Sequence, residues 1–117
     1  MTIDCHVHIC ALTPRHGAMT PRIHNSLLFR FMQSRLGIQH KEGHEPETEQ
    51  AITNLLFNLL TQTEELDAAA VLAFDAVYTP DGQFNAADTH FYVKNDFVID
   101  LAKRHPKILF GASVHPY

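Results

Sequence analysis

Thr2-Ile3-Asp4-Cys5-His6-Val7-His8-Ile9 opens the chain, and its reading decides how the rest is read. The run is short, apolar and rich in β-formers. Loop signals follow at Thr13-Pro14 and Gly17, so it reads as a buried strand. Side chains alternate across a strand, which puts Asp4, His6 and His8 on one face and Ile3, Cys5, Val7 and Ile9 on the other. The second set suits a face covered by helices. The first sets two imidazoles where both can reach one metal ion, and neutral imidazole is the commonest protein ligand for zinc and similar ions. A lone His-x-His is weak evidence: with nine histidines in the chain, chance yields roughly two-thirds of one match. Context adds weight, because the pair closes a strand, an acid precedes it at the same parity, and the strand begins the chain. The competing reading is a partly buried histidine pair satisfied by its neighbours.

Outward from this strand, a polar, proline-containing loop runs from about Cys10 to His24. Leu27, Leu28, Phe31, Met32 and Leu36 then follow three-four spacing and predict a helix over about 25–36. Asn25 or Ser26 can cap it and Gly37 can end it. After a loop with Gly43 and Pro46, a second helix shows an apolar stripe of Ala51, Ile52, Leu55, Leu56, Leu59 and Leu60, read as core. The run Ala68 to Phe74 is continuously apolar. Its latter part predicts a second strand, buried on both faces as parallel strands are, while the small residues at its start also suit a helix. A turn is expected at Pro80-Asp81-Gly82, and irregular or short extended structure over Thr89 to Lys94. Asn95 is read as the cap of a third helix, with Asp96 in its first turn and Lys103, Arg104 and His105 in its last. Phe97, Val98, Leu101 and Ala102 supply its buried face, and Pro106 stops it. Ile108 to Val114 predicts a third buried strand.

Strand, helix pair, strand, helix, strand is the opening of a parallel α/β architecture. Such folds place ligand chemistry at the C-terminal ends of their strands. The three ends carry His8, Asp75 and His115. Asp75 also reads as a strand-end residue capping the next loop, and His115 as an exposed residue before proline. Of the two, His115 is favoured as a pocket residue, since Pro116 holds the chain extended there.

A chain of 117 residues has room for one domain. Its nine lysines and arginines are scattered and its net charge is −4, which argues against a nucleic-acid partner. No apolar run approaches a membrane span, and the N-terminus does not read as a secretory signal. Cys5 and Cys10 are too far apart along an extended segment to bridge each other, and two free thiols suit a reducing cytoplasm. Both cysteines are read as small core or boundary residues. Arg15, His16, Arg22 and His24 in the first loop read as solvated surface before they read as contacts for an anionic substrate.

The segment Asp4-Cys5-His6-Val7-His8 at the end of a first strand resembles the amidohydrolase superfamily, metal-dependent hydrolases built on a (β/α)8 barrel. The later stretch is similar to its amidohydrolase-related branch: Ala70-Val71-Leu72-Ala73-Phe74-Asp75, Asn95-Asp96, and Gly111 through Tyr117. The resemblance implies that His6 and His8 bind a divalent metal, zinc foremost. The metal-activated water would attack an amide, ester or ring carbonyl of a small-molecule substrate. In that family two further histidines and an aspartate come from later strands. This chain stops after its third strand, and a full barrel takes about 250 residues, so it reads as the N-terminal portion of such an enzyme. The metal ligands are limited to His6 and His8. The catalytic group is unassigned, with Asp75 and His115 as candidates. The same scaffold also supports non-oxidative decarboxylation. A different class of reading is a non-catalytic, histidine-rich metal-binding subunit or one completed by a partner, and a third is an inert truncated product. Three strands cannot close a barrel, so the chain alone is expected to be inactive and to self-associate or pack loosely.

Overall fold

The computed structural model describes residues 1–116. In chain order the elements are β1 (Ile3–His8), β2 (Gly17–Met19), α1 (Pro21–His24), α2 (Leu27–Leu36), α3 (Glu45–Gln62), β3 (Ala68–Leu72), β4 (Phe91–Val93), α4 (Asn95–Arg104) and β5 (Ile108–Gly111). The fold is mixed α/β. Its main sheet has three parallel strands in the order β1-β3-β5, and a small antiparallel ribbon pairs β2 with β4. The expected parallel alternation is therefore present, with β3 in the middle and β1 and β5 at the edges.

One face of the sheet carries the core. Ala69 and Val71 of β3 are wholly buried, alongside Ile108 of β5 and Ile9 just beyond β1. Leu60 from α3 and Phe97, Val98 and Leu101 from α4 close over them, with Val93 of β4 at the margin. The other face is open. Ala68, Ala70 and Leu72 are only half-buried and Leu109 is exposed, while Phe110, in register with Val71 on the covered side, is exposed at the sheet edge. The expectation that the second and third strands are buried on both faces is thus corrected. Helices cover a single face, so only alternate residues of β3 reach the core. The third strand also ends at Gly111, short of the expected Val114, which is exposed. A Cβ at Gly111 would fall 2.4 Å from the Leu72 side chain, so β3 and β5 approach closely there.

β1 is likewise not the buried strand expected. It lies at a sheet edge, and of its six residues only Val7 is half-buried. Its register slips between Asp4, opposite Ala69, and Val7, opposite Val71: three steps on β1 match two on β3. That is a bulge, and it interrupts the alternation. Asp4 falls in register with the Ala69–Val71 face, so it does not share the face of the two histidines as strict parity would have it.

α2 forms where the periodicity predicts. The Ser26 hydroxyl accepts from Phe29 N–H (3.2 Å) at its start, and Gly37 adopts φ 67° at its end. Its leucines, however, do not enter the core, since only Phe29 is buried. In α3 the expected stripe is displaced. Leu60 is buried, Ile52, Leu55 and Leu56 are half-buried, and Ala51 and Leu59 are exposed, while Thr48, Glu49 and Thr53 turn inward. Asn95 is not the cap of α4; Lys94 holds that position without a side-chain bond. The Asn95 amide instead pairs with the backbone after β5, donating to Ser113 O (2.8 Å) and accepting from Ser113 N–H (2.9 Å). The first loop, expected to be irregular, contains β2 and α1. β2 depends on Gly17, where a Cβ would sit 2.1 Å from the Tyr92 carbonyl oxygen of β4.

Candidate functional site

His6 and His8 lie on the same side of β1, and their rings meet. The two Nε2 atoms face each other across 2.9 Å, and the ring centroids are 4.7 Å apart in an edge arrangement. The bulge falls before the pair, so two-residue spacing still returns the side chains to one side. The Asp4 carboxylate accepts from His6 N–H (3.0 Å) and steadies the bulge rather than joining the pair. Both imidazoles are exposed, and the Phe74 ring stands edge-on to His8 at 6.2 Å. Two imidazole nitrogens this close share either one proton or one cation. Two imidazoles on one tetrahedral ion, with metal–nitrogen bonds of 2.0–2.1 Å, have centroids about 5 Å and ligating nitrogens about 3.3 Å apart, so the centroid separation suits a shared ion. The 2.9 Å contact is a hydrogen bond, from which the rings must part slightly to admit an ion. The pair could fill two coordination positions of an ion. Among the described residues, no group of three or more His, Cys, Asp or Glu stands together as a fuller ligand set.

The register sets the ends of the parallel strands side by side: His8 opposite Leu72, and Leu72 opposite Gly111. Asp75 and His115 follow those ends on the same rim. Phe74 and Val93 exchange backbone hydrogen bonds of 3.0 and 2.7 Å, closing the long loop that begins at Asp75. Asp75 Oδ1 accepts from Ala76 N–H (2.9 Å). Its carboxylate opens into a cleft of about 460 Å3 lined by Phe74, Tyr78, Lys94, Asp96 and Ser113 among others. His115 stacks on Tyr78, centroids 4.0 Å apart, with its Nδ1 buried and lacking a hydrogen-bond partner among the described residues. The histidine pair is not part of that cleft's lining. The structure therefore brings His6 and His8 together, and sets Asp75 and His115 nearby on the rim without joining them to the pair.

A second polar cluster was not anticipated from the sequence. Glu49, buried on α3, accepts from Leu12 N–H (2.7 Å), from Thr13 N–H (2.9 Å) and from the Thr13 hydroxyl (3.0 Å). His16 Nδ1 donates to Oε1, the oxygen that also takes the Thr13 hydroxyl, and the His16 ring stacks on Phe97 at 4.2 Å. Burial alone pushes the Glu49 carboxyl up. The donors from Thr13, His16 and Leu12 outweigh it and hold the group below the ordinary carboxylate value. This corrects the placement of His16 at a solvated surface: it belongs to a clamp that ties the loop after β1 to α3 and α4. Arg22, also read as solvated, donates to His90 Nε2 (3.2 Å). Cys5 is exposed rather than core, while Cys10 is half-buried and its thiol is pushed up by that burial. A less thiolate-prone sulfur is less reactive.

No family model, curated protein or solved structure matches the chain. No helix among the described residues is long and apolar enough to cross a membrane.

Proposed function

We propose that this chain is the N-terminal part of a metal-dependent hydrolase barrel, in which His6 and His8 supply two ligands to a divalent ion, zinc foremost. The observation that carries the reading is the 2.9 Å approach of the two Nε2 atoms at the C-terminal end of a parallel strand. That is the end where parallel α/β folds assemble their chemistry. The ion would supply Lewis acidity toward water and a substrate carbonyl. The chain's own part is to hold and orient. β1 fixes both imidazoles on one side, and the Phe74 ring stands edge-on beside His8. Asp75 keeps Oδ1 engaged by Ala76 N–H and offers Oδ2 for a proton. His115 offers an unpartnered Nδ1 on the same rim. The remaining ligands would come from further strand–helix units or from a partner chain. The substrate class is a small molecule with an amide, ester or ring carbonyl.

The test is calorimetric titration with zinc, comparing the chain with His6→Ala and His8→Ala. A saturable site that each substitution weakens at least tenfold supports the reading. Binding unchanged in the double variant would reject it.

A further inference from the structure

A second pair of histidines meets far from β1. His24, the last residue of α1, and His40, in the loop before α3, have ring centroids 4.9 Å apart at an interplanar angle of 68°. Their hydrogen bonds fix both tautomers. His24 Nδ1 lies 3.1 Å from Asn25 Oδ1, an oxygen that only accepts, so Nδ1 carries the hydrogen. His40 Nδ1 lies 3.4 Å from the Thr48 hydroxyl, whose own hydrogen goes to the His44 carbonyl (3.0 Å), so His40 Nδ1 also donates. Each ring is left with a lone pair on Nε2. A polar partner on the far nitrogen is the usual arrangement around an imidazole that binds a metal. The separation again suits two imidazoles on one tetrahedral ion, about 5 Å between centroids. The exposed Glu45 carboxylate lies within electrostatic reach of both rings, and its Oε1 accepts from Gly43 N–H (3.1 Å).

The position of this pair matters for what lies between. His24 and His40 bracket α2, which buries only Phe29 and leaves Leu27, Leu28, Phe31, Met32 and Leu36 exposed. A bridge between residues 24 and 40 would close the segment that contains α2, and so restrain the helix least held by packing.

We propose that His24 and His40 bind a divalent transition metal through Nε2 and thereby clip α2 to the start of α3, with water completing the coordination. This site is independent of His6 and His8, and the two stand or fall separately. Two imidazoles make a site of modest affinity that does not depend on any activity of the chain.

The experiment is hydrogen exchange read by mass spectrometry on the His6→Ala/His8→Ala chain, with and without zinc chloride. At free zinc ten times the dissociation constant, exchange of the Leu27–Leu36 amides should slow about tenfold. His24→Gln or His40→Gln, each half-buried and replaced by a polar residue of similar reach, should abolish that protection. Far-UV circular dichroism without zinc should stay unchanged. Protection that persists in both variants, or zinc binding that leaves α2 exchange untouched, would overturn the proposal.

Discussion

α2 and α4 are both ten-residue helices with apolar residues at helical spacing, yet one is core and the other is not. α4 buries Phe97, Val98 and Leu101 against the sheet, and Leu101 has no exposed surface. α2 leaves Leu27 84% and Phe31 63% exposed. The difference lies in what each helix is tied to. α4 leads into β5 through a short turn and must cross the sheet. α2 hangs between α1 and a loop. Helical periodicity announces a helix; burial needs a surface to bury against, and three strands with one covered face supply room for α3 and α4 only.

Three substitutions probe this contrast. The largest effect is expected from Leu101→Ala, which opens a cavity in the fully packed face and should cost about 2–5 kcal/mol in urea denaturation. A loss under 1 kcal/mol would mean that α4 is no better packed than α2. Next is Glu49, whose clamp holds His16 against Phe97 of α4. Its folded-state carboxyl lies below the ordinary 4.5. Its contribution is therefore complete above that pH and is lost as pH falls through the lower folded value. Glu49→Gln should cost about 1–3 kcal/mol at pH 7, and the gap from the native chain should narrow on acidification to pH 3. A gap that stays constant with pH would show that the charge is not what the clamp uses. The smallest effect is expected from Phe31→Ser on α2, within about 0.5 kcal/mol. A large loss there would show that α2 is covered in solution, as self-association would cover it.

The same contrast separates what was readable in the sequence from what was not. The parallel strand order, the Ser26 and Gly37 boundaries of α2, and the buried face of α4 follow from local spacing and capping, which single stretches carry. The meeting of His6 and His8 was readable because strand parity is local. The bulge that removes Asp4 from their face was not, because register is set by β3, more than sixty residues away. The Glu49 clamp and the His24–His40 pair were hidden for a similar reason. Glu49 occupies an ordinary polar position on α3 and is recruited only when the loop after β1 folds onto it. Asn95 looked like a cap by residue type, but tertiary pairing with Ser113 claimed its amide.

The central claim is that His6 and His8 act as one pair of metal ligands. Imidazole nitrogen NMR during a zinc titration tests it most directly, because each ring nitrogen reports separately. As joint ligands, His6 and His8 should shift their Nε2 resonances together along one saturation curve, while their Nδ1 resonances keep the signature of a protonated nitrogen. Zinc that moves only one of the two rings, or moves neither while other histidines respond, would contradict it.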